Sequence, residues 1–426
     1  MPGHPAIFAL LILAAASLYG YTGLKRAFAI PPLLNYKTWA IRIFLMIDVV
    51  FILFSVLWLT YIRTINIPEY TAYRLHFYLA GVYMLVFGPK LFFAVFVLMH
   101  DLKNLLAGLL VMVQKHFGKN SNLFSRIHNT RWVLIAGMFV AILAFFWMTY
   151  GLTVGRHRFQ VERIEISFPE LPSAFDGFKV VHFSDTHLGS FAQKHPVSGG
   201  LQLIKDLNPD IVFFTGDLIN NHPAEAAPFI EYFSVIQPPY GKYAVLGNHD
   251  LGDYRTWSKI DDIDPEEYKI ERLHKQMGFH LLRNEHVFIS RGNDSIMVAG
   301  VDNWGLDPFM KLGDLDKALG EHQCFPFQII MTHDPSHWRE EILPETNIQL
   351  TLSGHTHGMQ LGIHTRFFSW SPSVWIYPEW NGLFREDDQK IYVNRGFGYL
   401  TLPGRIGMPP EITKITLRQG AGGSKE

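Results

Sequence analysis

The sequence predicts a two-part protein, an all-α bundle of transmembrane helices followed by an α/β domain. Three observations carry that expectation. The first 150 residues hold long apolar runs and few carboxylates, and everything after about position 160 is an ordinary soluble mixture. In that second part, short apolar strands end repeatedly in Asp, Asn or His. A chain of 426 residues also exceeds one ordinary domain. The boundaries read from composition are a transmembrane region over 1–150, a linker over 151–160, an α/β domain over 161–418 and a polar, disordered tail over 419–426.

Four apolar stretches approach the roughly 20 residues that a helix needs to cross the hydrocarbon layer. They run from Ala6 to Leu24, Ile43 to Ile62, Phe77 to Met99 and Trp132 to Tyr150. The first lacks the basic start of a signal peptide and is followed by Lys25 and Arg26, so it reads as a retained anchor. Pro89 and Lys90 interrupt the third, and Leu102 to Val113 adds a run that lies along the interface, extends that crossing or makes a fifth. About 12 residues at 1.5 Å each span only about 18 Å of a roughly 30 Å layer, so four crossings are expected. Lys25, Arg26, Lys37 and Arg42 fall in the first loop, and Lys103, Lys115, Lys119, Arg126 and Arg131 in the third; the second has Arg63 and Arg74. Basic residues collect on the cytoplasmic side, which predicts an extracytoplasmic C-terminal domain. Asp48, inside the second crossing, is either a functional carboxylate or a group paired with another helix; without an array of such charges the pairing is expected. The lipid bilayer is the partner this half implies.

A net charge of −1 lacks the Lys and Arg surplus that a general nucleic-acid binder needs to displace counterions. The single cysteine, Cys324, excludes an intrachain disulfide and a Cys-based zinc cluster.

In the second half, Phe178 to Phe183 leads into Ser184-Asp185-Thr186-His187, and Asp210 to Phe214 into Thr215-Gly216-Asp217. Tyr243 to Leu246 leads into Gly247-Asn248-His249-Asp250, Gln328 to Met331 into Thr332-His333, and Gln349 to Leu352 into Ser353-Gly354-His355-Thr356-His357. Carboxyl ends of strands in α/β sheets are the usual place for a site, because the loops there are free to present side chains. Imidazoles, carboxylates and an amide oxygen without thiolate suit Mn²⁺, Fe²⁺, Zn²⁺ or Mg²⁺. Seven candidates, Asp185, His187, Asp217, Asn248, His333, His355 and His357, are too many for one open mononuclear site. They suit two ions about 4 Å apart, with Asp217 as the bridging carboxylate. Asp-X-His alone is common by chance, Gly-Asp alone is an ordinary turn, and Gly-His-X-His alone is more suggestive but is also found as a surface turn; five in order, each after an apolar strand, are not coincidence. His182, His222 and His337 read as a buried strand residue, a loop residue and a helix-start residue rather than ligands.

Asp185-Thr186-His187, Gly216-Asp217, Gly247-Asn248-His249-Asp250, His333 and Gly354-His355-Thr356-His357 resemble the five ordered motifs of the calcineurin-like metallophosphoesterases, over roughly Val161 to Leu417. The resemblance implies a four-layer α/β/β/α sandwich with two mixed sheets. It implies one ion on Asp185, His187, Asp217 and His357, and a second on Asp217, Asn248, His333 and His355. It implies hydrolysis of a phosphate mono- or diester by a hydroxide bridging the two divalent ions. His249 would face the substrate as proton donor or stabiliser, with Asp250 orienting its ring; Asp250 and Arg395 are further candidates for supporting or substrate-contacting roles.

Asn220 and Asn221 stand where protein phosphatases of that superfamily carry Asp and Arg, which disfavours a protein substrate. Val393-Asn394-Arg395-Gly396-Phe397-Gly398, Pro403-Gly404-Arg405 and Pro409-Pro410-Glu411 resemble the membrane-linked branch. A lipid or cell-envelope phosphodiester is the expected substrate. The alternatives are a UDP-2,3-diacylglucosamine-type pyrophosphate, which requires cytoplasmic access, and a catalytically silent metal-binding interaction protein; intact ligands and His249 favour the enzyme. Phe367, Phe368, Trp370, Trp375, Tyr377, Trp380 and Phe384 form either an apolar wall or interfacial segment, or a hairpin packed on the core. Asp253 to Gly278 is an insertion in which Asp264-Pro265-Glu266-Glu267 opens a helix and Gly278 closes it.

Overall fold

The structure, a computed structural model, describes residues 3–29, 31–64, 69–118, 127, 130–252, 270–307 and 309–420. It divides into two compact units, Met1–Ile67 with Tyr78–Tyr150, and Pro68–Phe77 with Gly151–Glu426. The expected tail, apart from residues 419 and 420, and residues 253–269 of the insertion lie outside the described residues.

The first unit is built from helices α1 (Gly3–Ala27) and α2 (Lys37–Thr64) and from most of α3 (Glu69–His116) and α4 (Trp132–Thr153). Among the described residues, three stretches are long and apolar enough to cross a membrane: Lys37–Trp58, Arg74–His116 and Trp132–His157. The remaining expected crossing lies within α1, whose 25 residues reach about 37 Å. The side chains of residues 1–13 are outside the description. Exposed Leu53, Leu57, Phe139 and Phe146 turn apolar surface outward, as lipid requires.

Pro89 does not break the third crossing. It lies inside α3, which runs unbroken for 48 residues, so Leu102 to Val113 extends that helix and is not a crossing of its own. Proline is tolerated where neighbouring helices satisfy the freed backbone. Lys90 is answered in the same way: its ammonium pairs with Asp48, sits 3.3 Å from Ser17 Oγ and lies 4.1 Å from the Phe44 ring centroid. Ser17 Oγ donates to Asp48 Oδ2 at 2.7 Å, so Asp48 is a packing group joining α1, α2 and α3. Close approach explains one glycine here: a Cβ on Gly23 would lie 2.1 Å from Val97 Cγ2.

The second unit holds two six-stranded mixed sheets. One has the order β1 (Gln160–Phe168), β14 (Glu411–Gln419), β2 (Lys179–Phe183), β3 (Ile211–Phe214), β4 (Lys242–Ala244) and β5 (His280–Leu281). The other runs β12 (Gly382–Glu386), β13 (Gln389–Val393), β9 (Leu350–Ser353), β8 (Gln328–Met331), β7 (Asp294–Gly300) and β6 (Glu285–Arg291). β14 is antiparallel to β2, whereas β2, β3, β4 and β5 are parallel; β13, β9, β8 and β7 are likewise parallel.

The two-residue period of a strand assigns the layers. Val180, Ile211, Phe213 and Ile415 of the first sheet meet Ile296, Val298, Ile329 and Leu352 of the second in one buried core. Their neighbours Val181, Val212 and Phe214 point the other way, onto Val197, Leu201 and Ile204 of helix α5 (His195–Asp206) and Leu273 of α6 (Ile270–Gln276). On the far side of the second sheet, Met297, Ile330 and Ile391 pack on Trp338 and Ile342 and on Leu315 and Leu319 of α7 (Leu315–Leu319). The domain is thus the expected four-layer α/β/β/α sandwich. Coverage on both faces is why β3 and β8 read as unbroken buried runs rather than alternating ones. Gly278, at φ 82°, follows α6 as its expected stop.

Candidate metal centre

The carboxyl ends of β2, β3, β4, β8 and β9 carry the seven candidate ligands, and the loops that follow bring them together. Three groups of donor atoms result: Asp185, His187 and His357; His187, Asp217 and His249; and Asp217, His333 and His355. Asp185, His187, Asp217, His355 and His357 all have φ between 43° and 69°. This left-handed region is unfavourable for residues with a Cβ, and its concentration in one place shows backbone strain held by the surrounding fold to turn these side chains inward. Gly354 makes the approach of the β9 loop feasible, since a Cβ there would lie 2.0 Å from Ser184 Oγ. His355 N–H then donates to Asp185 Oδ2 at 3.0 Å.

Asp217 stands between the two sides. Its Oδ2 is 3.5 Å from His187 Nε2 and 3.2 Å from His333 Nε2. On one side, His187 Nε2 faces His357 Nε2 at 3.0 Å, and His357 Nε2 is 3.3 Å from Asp185 Oδ1. On the other, His355 Nδ1 lies 3.1 Å from Asn248 Oδ1 and 3.2 Å from His333 Nε2.

Residues 4–156 match the family described as probable calcineurin-like phosphoesterase, transmembrane domain, and residues 178–359 match calcineurin-like phosphoesterase. An uncharacterized metallophosphoesterase of Bacillus subtilis, YkuE, is 32% identical over 279 residues, which are 63% of this chain and 89% of that protein. The chain belongs to the calcineurin-like metallophosphoesterases. A transmembrane protein with metallophosphoesterase domain from Danio rerio is 30% identical over 298 residues, 68% of this chain and 63% of the relative. The Bos taurus protein of the same description is 27% identical over 273 residues, 61% and 57%. The chain therefore spans less than two thirds of either vertebrate relative. The N-terminal unit is the transmembrane region of this membrane-integral metallophosphoesterase.

Divalent metals serve this family, and the donor set fits them. The carbonyls of Ile219 and Thr215 lie 3.1 Å from His187 Nδ1 and 2.7 Å from His333 Nδ1. A carbonyl only accepts, so each ring carries its proton on Nδ1 and turns Nε2 into the cluster as a ligand atom. The electrostatics agree. Burial opposes ionisation of Asp185 and Asp217, yet the imidazoles around them hold both carboxyls well below the usual carboxylate range. Burial lowers His187, His249 and His357 and favours their neutral form, the form in which His187 and His357 could ligate. Burial also works against a charged His333, but the Asp217 carboxylate outweighs it and the ring is pushed up to about 10. Two buried anions among mostly neutral rings suit a bound cation, and His333 would have to give up its Nε2 proton to hold one.

The remaining sequence-derived candidates occupy distinct positions. His249 Nδ1 is 2.5 Å from the Asn220 carbonyl, and the backbone N–H of His249 donates to Asp217 Oδ1 at 2.9 Å. Asp250 does not orient the His249 ring. Its carboxylate accepts from the backbone N–H groups of Asp217 and Leu218, both at 2.8 Å, of Gly247 at 3.1 Å and of Ile219 at 3.3 Å. It shapes the loop that presents Asp217, while a main-chain carbonyl orients the histidine. The Arg395 side chain joins Glu162, Glu411 and Asn381 rather than the imidazole cluster, with contacts of 2.9, 3.2 and 2.9 Å. His182 is buried in β2, His222 caps the turn Pro223–Glu225 and His337 starts the helical turn Trp338–Ile342, as expected.

Three side chains at the cluster were not singled out by motif reading. Arg405 Nη2 donates to His357 Nδ1 at 3.0 Å, and the same guanidinium is held by the carbonyls of Gly396, Gly398, Arg395 and His357. A cation on His357 Nε2 would leave the proton on Nδ1, so Arg405 would then turn wholly to those carbonyls. Tyr377 Oη lies 2.9 Å from His355 Nε2, and Asp334 Oδ2 is 3.5 Å from the same atom. Asp334 follows His333 directly, which is the one sequence signal that pointed to it; Arg405 lies in the Pro403-Gly404-Arg405 segment and Tyr377 in the aromatic stretch, and neither segment signals a contact with a ligand histidine.

The Glu162 contacts predict an acid response. The hydrogen bond from His364 lowers this carboxyl, burial opposes it and Arg395 lowers it further, to about 2 from an ordinary 4.5. A folded value below the unfolded one gives stability that is complete above about 4.5 and lost as pH falls toward about 2. The unfolding temperature of the metallophosphoesterase domain should drop through that window, and Glu162→Gln should flatten the drop in a thermal melt.

Proposed function

We propose that the C-terminal domain hydrolyses a phosphate mono- or diester at a centre of two divalent ions. Asp185, His187, Asp217 and His357 would hold one ion, and Asp217, Asn248, His333 and His355 the other. The observation that carries this reading is the position of Asp217, whose Oδ2 lies within 3.5 Å of a ligand nitrogen on either side. When bound, such a pair of ions supplies an activated water and neutralises the phosphoryl oxygens as charge shifts in line.

The chain's own residues do the rest. Asp250 and its four N–H donors set the loop on which Asp217 rides. The Asn220 carbonyl orients His249 with a proton on Nδ1, so Nε2, on the opposite edge of the ring, would take up a proton from the medium and then pass it to the departing oxygen. Tyr377 and Asp334 orient His355 with Nδ1 toward Asn248 and His333. Purified full-length protein with added Mn²⁺ should release nitrophenol from bis(nitrophenyl) phosphate; no release with any divalent ion would favour the catalytically silent alternative.

The same proposal puts the catalytic domain outside the cytoplasm and takes a lipid or cell-envelope phosphodiester as its substrate. The continuity of α3 supports four crossings, and the basic first and third loops support their direction. Protease added to sealed cells should remove a tag placed after Glu426. Protection of that tag until the membrane is opened would reverse the orientation and favour the UDP-sugar-lipid substrate.

A further inference from the structure

The hairpin of β10 (Ile363–His364) and β11 (Ser369–Trp370) belongs to neither six-stranded sheet. Strands of two residues have no core in which to hide large side chains. Phe367 at the tip is 91% exposed and Trp375, after the second strand, 76%; Phe368, Trp370 and Ile376 are exposed as well. The tip is nonetheless shaped. Thr365 Oγ1 accepts from the N–H groups of Phe367 and Phe368 at 3.3 and 3.0 Å, and Ser371 Oγ donates to the Gly358 carbonyl at 2.6 Å at the hairpin's base. The Trp370 and Trp375 rings meet edge to face at 5.7 Å, which makes the hairpin and the turn Pro372–Trp375 one surface. The other aromatics of this stretch behave differently: Trp380 is buried, and Phe384 packs against the core of the second sheet. The core-packing alternative thus holds for Trp380 and Phe384, while Phe367, Phe368, Trp370 and Trp375 stand exposed.

An aromatic surface left in water forgoes about 25 cal/mol for each Å² it could bury, and contiguous patches of this kind mark interaction sites. Its chemistry selects the partner. Residues 361–376 contain Phe, Trp and Arg366 but no carboxylate, and the Arg366 guanidinium lies 5.7 Å from the Phe367 ring centroid. Exposed rings beside a cation, in a segment with no carboxylate of its own and with the nearby Glu162 carboxylate paired to His364 and Arg395, suit the layer where acyl chains meet anionic headgroups. The transmembrane helices of the same chain keep a bilayer at high effective concentration. The surface also leads to the metal centre, since Trp375 and Ile376 are followed by Tyr377, whose hydroxyl lies 2.9 Å from His355 Nε2.

We infer that residues 363–376 form a lipid-docking surface that enters the interfacial layer of a bilayer and brings the metal centre to phosphate groups carried by bilayer lipids. The substrate class that follows is an amphiphilic phosphate ester. That second half rests on the proposed phosphoesterase activity; docking itself does not.

The test uses full-length protein in nanodiscs containing anionic lipid and doxyl-labelled lipid. An environment-sensitive fluorophore is attached either at Phe367→Cys in a Cys324→Ser background or at native Cys324, which is exposed and precedes β8 at the end of the sheet opposite the metal centre. Doxyl lipid should quench the probe at position 367 several-fold more than the probe at 324; equal quenching overturns the docking surface. Double substitution of Phe367→Ser and Trp375→Ser should lower the ratio of turnover on a bilayer-embedded phosphate ester to turnover on bis(nitrophenyl) phosphate by about tenfold or more. An unchanged ratio overturns the substrate class. Quenching at 367 in a protein that turns over neither ester supports the docking surface and sinks the phosphoesterase reading instead.

Discussion

Asp217→Asn should abolish turnover and empty both metal positions. Its carboxylate lies between the two sides of the centre, so replacing one anionic oxygen with an amide nitrogen removes a donor from each. It also removes charge from a site whose buried rings are otherwise mostly neutral. Expected loss is about 10⁴- to 10⁶-fold in kcat, the range for removing one member of a group that acts as a unit. Elemental analysis of the purified variant should find both ions depleted. Retention of both ions with full activity would exclude Asp217 from any bridging role. The folded state should survive, because the Asp250 carboxylate still receives the N–H groups of residues 217, 218 and 247.

His249→Ala should separate chemistry from metal binding. The ring is held by the Asn220 carbonyl, and its proposed work is proton transfer. Such a positioned acid contributes roughly 10²- to 10⁴-fold, so kcat should fall by that much while both ions remain bound. The histidine also belongs to a donor group with His187 and Asp217, which makes the opposite outcome informative. If His249→Ala loses an ion and His333→Ala does not, the two roles are exchanged.

The contrast between Asp217 and Arg405 marks what the sequence made legible. Asp217, His187 and His357 follow apolar strands in local motifs, and both the strand run and the ligand type are visible within a few residues. The four layers were implied by the same motifs, and the structure adds the reason: Val180 and Val181 face different cores because strand side chains alternate. Arg405 reaches His357 across 48 positions of sequence, through a loop with no periodicity to read. Asp250 acts on main-chain N–H groups and Asn220 through its own main-chain carbonyl, and no side-chain pattern announces that Asn220 offers that carbonyl rather than its amide. Pro89 misled for a related reason. A proline inside an apolar run is a local break signal, but the Lys90–Asp48 pair and the surrounding helices that sustain α3 are tertiary contacts.

The central claim is that one phosphoesterase centre needs two ions sharing Asp217. Its most direct test is to strip the full-length protein with a chelator and titrate Mn²⁺ back while following bis(nitrophenyl) phosphate hydrolysis and bound metal together. Activity should reach its maximum only as the second equivalent per chain binds. Full activity at one equivalent, with no gain from a second, would contradict the account.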